Sequence, residues 1–274
     1  MTVRAGFAVL LAALLAACRT VPGSGRAQLN LVDEDALAAE AGDAFRKMPR
    51  APASGTQARL RDIAHRIVEA ARSDPEFGDP SLPPPSAWEV ALIQDDTPNA
   101  FALPGGRIGF HTGMLRFAPT DDDIAVIIGH EVAHVVCRHG NERVSQGLLA
   151  ALGAVALDQS MRDKPSDRRA EALAVYGAAA SLGLILPYSR HHESEADHLG
   201  LMYMARAGYR PAAAVEFWRR FSQQGGARTP EFLSTHPSDD TRVRRLRELL
   251  PEAERRFRPA APAQRASTPT GPIR

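Results

Sequence analysis

Thr120-Asp121-Asp122-Asp123-Ile124-Ala125-Val126-Ile127-Ile128-Gly129-His130-Glu131-Val132-Ala133-His134 predicts a helix that starts sharply and is buried along its length. Threonine is a preferred N-cap, and three aspartates in the first turn complement the positive end of the helix dipole. Ile124, Val126, Ile127 and Ile128 then bring an apolar surface that must be covered, and the pattern runs from Ile124 to about His139. Within this helix His130 and His134 are one turn apart, about 6 Å along the axis and on one face, so their imidazoles can hold a single ion. Nitrogen donors on a tetrahedral site with one open position suit Zn²⁺. Glu131 lies about 100° round the helix from His130, where a base must be to take a proton from zinc-bound water.

A His-Glu-any-any-His string alone carries little weight. Its setting adds to it, because two core histidines and a glutamate without partners would bury three polar groups at considerable cost. A third ligand is needed, and the candidates cluster in Tyr188-Ser189-Arg190-His191-His192-Glu193-Ser194-Glu195-Ala196-Asp197, where His191 and His192 compete with Glu193. Asp197 follows Glu193 by four residues on the same helical face, from which it can reach the free N–H of a ligand histidine. Glu195 faces away from Glu193 and reads as a solvated or interhelical charge. His139, nine residues after His130, falls about 180° round the helix and is not expected to be a ligand. His65, His111 and His198 read as surface or satisfied histidines.

Three ordered motifs, His130-Glu131-Val132-Ala133-His134, Glu193-Ser194-Glu195-Ala196-Asp197 and Thr235-His236-Pro237-Ser238, together resemble zinc metallopeptidase family forty-eight, in particular its short LoiP-like or Oma-like members. The resemblance runs from about Ala87 to Leu250. It implies a mainly helical, gluzincin-like zincin fold with one Zn²⁺ per chain, held by His130, His134 and Glu193. Glu131 would activate water, Asp197 would orient a ligand histidine, and His236 and Arg242 would stand at the rim and stabilise an oxyanion; the resemblance equally allows His236 to coordinate zinc in place of water in a resting state. Read from the residues alone, Arg242 could equally belong to a solvated basic face with Arg244, Arg245 and Arg247. Asn99-Ala100-Phe101-Ala102-Leu103 resembles the family's strand beside the cleft, with Asn99, Ala100, Phe101 and Ala102 pairing an extended substrate; an ordinary hairpin is the competing reading. The resemblance further implies an endopeptidase acting on misfolded or misassembled envelope proteins, with the outer-membrane assembly machinery among its partners. A zinc-containing chaperone or binding module with little proteolysis is the alternative. A structural lipoprotein without metal is a third.

The chain has 274 residues, 44% of them hydrophobic, with 33 basic against 32 acidic side chains. That is ample for a core, and the balanced charge argues against nucleic acid as a partner. Residues 1–17 carry one charge, Arg4, before an apolar stretch too short to span a bilayer, so they read as a signal peptide. Leu15-Ala16-Ala17-Cys18 resembles a bacterial lipobox, which makes Cys18 the lipidated first residue of the mature chain and its membrane anchor. Arg19 after it points to outer-membrane sorting, facing the periplasm of a bacterial envelope. Residues 18–29 read as lipidated cysteine and tether, 30–257 as the metallopeptidase domain, and 258–274 as a disordered tail.

Within the domain, helices are expected at about Asp33–Met48 and Thr56–Arg72, then strands at Trp88–Ile93, Ala100–Leu103 and Arg107–Phe110 forming a small antiparallel sheet beside the active-site helix. The fold class is α+β. Two apolar stretches, about Gln146–Leu157 and Ala170–Leu186, are expected as a buried helical hairpin. Cys137 reads as a small buried hydrophobe, and no intramolecular disulfide is expected.

Overall fold

A computed structural model describes residues 18–181, 186–223, 232, 236 and 240–259, with 186–189 and 240 as backbone only. The expected signal peptide, most of the expected tail, and Thr235, Pro237 and Ser238 lie outside the described residues.

The central helix is α3 (Asp121–Val136), and its start follows the sequence: Thr120 Oγ1 accepts from the Asp123 amide while Asp123 Oδ2 accepts from the Thr120 amide. The acidic turn also fastens the helix to its neighbours, because Asp121 pairs with Arg59 and Asp123 with Arg220. Residues 124–134 are buried without interruption. On one side lies α2 (Gly55–Ser73), whose Leu60, Ile63, Ala64, Ile67 and Val68 form the amphipathic face read from the sequence. On the other lies α6 (Leu186–Arg206), which carries the Glu193–Asp197 motif. These helices cross at two glycines: a Cβ on Gly129 would sit 2.8 Å from the Gly200 carbonyl oxygen, and one on Gly200 would sit 2.7 Å from the His130 amide. Only hydrogen at both positions lets the backbones approach this closely. That approach brings Glu193 and Asp197 level with His130. Helices α7 (Ala212–Ser222) and α8 (Asp240–Arg256) close the core with Phe217, Trp218, Phe221 and Leu246.

Strands β3 (Glu89–Ile93), β4 (Ala100–Leu103) and β5 (Arg107–His111) fall within a residue of expectation, but their sheet is mixed rather than antiparallel. The β4–β5 hairpin is antiparallel, turning at Gly105 and Gly106, which have φ of 81° and 79°. β5 then pairs parallel with β3, giving the order β3-β5-β4. The expectation of sequential neighbours fails because the link after β3 carries the chain past the central position, which β5 fills. β4 is thereby left at the edge, against α3.

Three further expectations are corrected. Residues 18–29 are not a loose tether: β1 (Cys18–Thr20) pairs antiparallel with β2 (Ala27–Leu29), Val21 is fully buried, and Ser24 and Arg26 reach Glu195 on α6. Helix α3 stops at Val136, short of His139, because Arg138 adopts a left-handed conformation, φ 52° and ψ 33°, from which α4 (His139–Ser160) starts in a new direction. The hairpin of α4 and α5 (Ser166–Ala180) is not buried. α5 has no buried residue, and Leu152, Val155 and Val175 are 56%, 60% and 65% exposed. The two helices meet each other, through the Tyr176 hydroxyl donating to the Ala150 carbonyl, but among the described residues no third layer covers them. No described helix is long and apolar enough to cross a membrane. Helix α1 (Glu34–Arg46) completes the described elements.

Candidate metal centre and active-site cleft

The rigid part of the site is the facing pair α3 and α6. His130 Nε2 lies 3.1 Å from His134 Nε2 and 3.2 Å from Glu193 Oε2, and His134 Nε2 lies 3.5 Å from Glu193 Oε1. Donors on a tetrahedral zinc, each about 2.0–2.1 Å from the ion, are about 3.3 Å from one another. The three groups therefore lie at the spacing of a coordination polyhedron.

The bonds behind them say which lone pairs face inward. His130 Nδ1–H donates to Asp197 Oδ1 at 3.0 Å, and His134 Nδ1 lies 2.8 Å from His139 Nδ1. With both Nδ1 protons used outward, two bare Nε2 atoms converge on each other and on a carboxylate. Such an arrangement needs positive charge among its donors, either a cation or a proton on His130, and the residues present fit zinc.

His236 joins the same group. Its Nδ1 is 3.1 Å from His130 Nε2 and 3.0 Å from Glu193 Oε2, so four residues offer ligand atoms within 4.8 Å of one another. It is anchored through its amide, which donates to the Phe232 carbonyl, while the Phe232 amide donates to the Pro98 carbonyl. Phe232 in turn stacks on Trp218. His191 is exposed, and His192 is buried against Glu142; neither is in the ligand group. His65, His111 and His198 also lie outside it.

Glu131 is 3% exposed and points from α3 toward the cleft. Its Oε2 accepts from the Ala102 amide on β4 at 3.1 Å. Its Oε1 is buried with no hydrogen-bond partner among the described residues, 3.4 Å from His236 Nε2. Burial pushes the carboxyl above the usual carboxylate range, against the pull of His236 and His130. Glu193 is opposite in character: burial disfavours its charge, but hydrogen bonds from His130 and His236 hold it well below the ordinary value. Burial likewise opposes charge on His130, yet Asp197 and Glu193 outweigh it and raise its pKa to about 9 when no cation is present. His134 is driven well below its ordinary value, first by burial.

The structure does not place Arg242 over the cleft, nor on a solvated basic face. It is 4% exposed, its Nε and Nη2 grip both oxygens of Asp197 at 2.7 Å, and its Nη2 also donates to Glu193 Oε2 at 3.1 Å. Its guanidinium carbon lies 3.5 Å over the Trp218 ring. This is a clamp behind the ligands, with both carboxylate contacts spoken for.

The cleft itself is lined by Asn99, Ala100, Phe101, Ala102, Glu131, His134, Arg138 and His236 among others. β4 pairs with β5 on one side only, and strand alternation turns the peptide groups of Ala100 and Ala102 to its free edge. The Ala102 amide is already bonded to Glu131, and that of Ala100 to Asn99 Oδ1.

Sequence reasoning missed His139, Glu142, His192 and Arg26, and left Glu195 as a charge without a task. The helix break at Arg138 returns His139 beneath His134, where it is fully buried. His139 Nε2 donates to Glu195 Oε2 at 2.9 Å, and the pKa of this imidazole falls to about 4, chiefly through burial. Glycine at 140, just past the break, is the only local hint of a turn, and a weak one.

The profile of Peptidase family M48 matches residues 55–250. The mitochondrial metalloendopeptidase OMA1 of Schizosaccharomyces pombe is 37% identical over 173 residues, which cover 61% of this chain and 48% of the relative. Its counterpart in Saccharomyces cerevisiae is 34% identical over 209 residues, 71% of this chain and 56% of the relative. The beta-barrel assembly-enhancing protease of Yersinia pestis is 31% identical over 157 residues, 56% of this chain and 32% of the relative. The chain thus spans about half the length of the fungal relatives it matches. Their mitochondrial setting overturns the expectation of a bacterial outer-membrane location facing the periplasm.

Proposed function

The chain belongs to Peptidase family M48, and on that premise we propose that it is a zinc-dependent metalloendopeptidase. The observation that carries the reading is the convergence of His130, His134 and Glu193 beside a buried Glu131 whose Oε1 has no hydrogen-bond partner among the described residues and faces the cleft. His130, His134 and Glu193 hold the ion, which when bound lends Lewis acidity to the scissile carbonyl and to a water. Glu131 Oε1 accepts a proton from that water and returns it to the leaving amine, and its raised pKa suits both steps. The Ala102 amide fixes Oε2, so the free oxygen keeps its aim. Asp197 holds His130 in the tautomer that presents Nε2, and Arg242 holds Asp197 and Glu193.

Substrate lies along the free edge of β4, donating to the carbonyls of Ala100 and Ala102, with Asn99 and Phe101 shaping the same wall. Main-chain pairing favours extended, unfolded polypeptide over any particular side chain, which fits misfolded or misassembled proteins as the substrate class. His236, in the ligand group, would compete with a water or substrate oxygen for a bound ion, which makes the described arrangement a resting one that would open when His236 withdraws. Cys18, exposed on β1, is the proposed site of lipid attachment.

Zinc content and turnover of an unfolded protein such as casein test the reading together. Glu131→Gln should keep zinc and lose turnover, whereas Glu193→Gln should lose zinc. Retention of cleavage by Glu131→Gln removes it as the base. A zinc-loaded wild type that protects unfolded proteins without cutting them supports the chaperone alternative. For Cys18, the mass of the membrane-extracted protein should fall by a lipid group in Cys18→Ser, and an equal mass refutes attachment there.

A further inference from the structure

We propose that His139 and Glu195 are positioning residues for the ligand histidine His134, and that Arg26 of the N-terminal hairpin holds the outer end of this relay. The inference rests on the reading of His134 as a zinc ligand.

The proton positions follow from the hydrogen-bond network. His134 must keep Nε2 bare to ligate, so its proton is on Nδ1 and is donated to His139 Nδ1 at 2.8 Å. His139 then carries its own proton on Nε2 and donates it to Glu195 Oε2 at 2.9 Å. Only one tautomer of each ring satisfies both bonds, and it is the one that presents His134 to the metal.

The relay is closed on every side. His139 is fully buried and stacks on His192, with centroids 4.1 Å apart and planes 18° apart. His192 Nε2 bonds to Glu142 Oε2 at 2.9 Å. One guanidinium grips both carboxylates: Arg26 Nη1 and Nη2 donate to Glu142 at 2.7 and 2.8 Å, and Nε and Nη2 to Glu195 at 3.0 Å each. Ser24 Oγ adds a bond to Glu195 at 2.6 Å. Behind His130, Asp197 and Arg242 form the same pairing of carboxylate and arginine. Behind His134 the carboxylate stands one imidazole further out.

The helix geometry gives the reason. His130 lies inside α3, flanked by full turns, whereas His134 is in the last turn before the helix ends at Val136. A terminal turn frays, so a side chain there needs a hold from outside the helix. The left-handed Arg138 supplies the reversal that puts His139 in place, at the steric cost of a non-glycine residue in that region. Arg26 lies 169 positions from Glu195 along the chain, so the hairpin of β1 and β2 becomes part of the metal site.

The test measures the zinc dissociation constant by chelator competition and the visible spectrum of the cobalt-substituted protein, beside the melting temperature of the metal-free form. The proteins are the full chain as wild type, His139→Leu, His139→Gln and Arg26→Gln. Loss of a partner behind a metal-bound histidine weakens binding about 10- to 100-fold, the effect expected for His139→Leu. His139→Gln should restore most of it, because a side-chain amide can accept from His134 and donate to Glu195. The cobalt bands should shift in the leucine variant and return in the glutamine variant, which a role in folding alone would not produce. Arg26→Gln, which leaves every ring in place, should weaken zinc by less than His139→Leu. Equal zinc affinity in wild type, His139→Leu and Arg26→Gln overturns the relay while leaving zinc at His134. A wild type that binds no zinc overturns both. Should His139→Leu fail to fold, Arg26→Gln decides: zinc affinity and cobalt bands unchanged from wild type again overturn the proposal.

Discussion

Replacing Arg242 by methionine separates two roles for this residue. A group that stabilised an oxyanion would stand in the cleft and could be lost with little effect on folding. The structure instead shows a buried guanidinium bonded to both oxygens of Asp197 and to Glu193, stacked on Trp218. Methionine would fill much of the space but take the guanidinium away from the buried Asp197 and the partly buried Glu193, leaving His130 as the remaining positive group beside both. Breaking a buried ion pair on one side costs about 3–5 kcal/mol. For a domain of this size each kcal/mol is worth about 2–4 °C, so the metal-free protein should melt about 6–20 °C lower. The zinc-loaded protein should lose less, since the ion supplies positive charge beside Glu193. Arg242→Lys should recover part of the loss, having the charge without the fork that spans Asp197. The assay is thermal unfolding with chelator and with zinc, together with turnover per zinc-loaded molecule. An unchanged melting temperature with a fall in turnover of about a hundredfold or more, the signature of a lost oxyanion donor, would refute the clamp.

His236→Ala should retain zinc on the other three ligands and raise turnover, because it vacates the position facing Glu131; loss of zinc would make His236 an obligatory ligand, and a large fall in rate would make it an oxyanion donor. Acid should unfold the protein through Glu142 and Glu195, each lowered from 4.5 to about 2 in the folded state, against burial, by hydrogen bonds from Arg26 for Glu142 and from His139 and Arg26 for Glu195. A lowered carboxylate contributes stability above its unfolded pKa and loses it as pH falls through the folded one, so about 3 kcal/mol per group at most should vanish between about pH 4.5 and 2. An Arg26→Gln protein with the acid profile of wild type would contradict this. Gly200→Ala would press a methyl group to 2.7 Å from the His130 amide, a backbone contact that cannot yield by rotation, and overpacking of this kind costs about 1–3 kcal/mol. Zinc affinity and melting temperature should fall together, and an unchanged melting temperature would show that the helices part without loss.

The helical core was legible because its signals are local. The cap at Thr120, the acidic turn and the apolar run act within one helix, and the face of Leu60, Ile63 and Ile67 repeats at helical spacing. Sheet order was not legible, because strands of four or five residues carry no mark of which neighbour they will take. Apolar content misled at the α4–α5 hairpin. Alanine, glycine and leucine spread round both helices look like core, yet burial needs a partner surface, and the composition of the hairpin does not say whether the rest of the chain supplies one.

The site divides along the same line. His130, Glu131 and His134 share one helix, and Glu193 and Asp197 share another, so spacing relates each set within itself, while the two glycines that let these helices meet lie outside both motifs. His139 stays out of the ligand group, as expected, but the helical angle used to exclude it held only while the helix continued. One left-handed residue ended it, and every angle counted past Arg138 lost its meaning. Supporting groups are illegible for a more general reason. They orient ligands already fixed by their own elements, so they can come from any part of the chain that reaches, as Arg26 does from a hairpin at one end of the described residues. Periodicity can find the atoms that would touch a metal. It cannot find the atoms that keep them pointed at it, because those are selected by distance in the folded chain and by nothing in the order of residues.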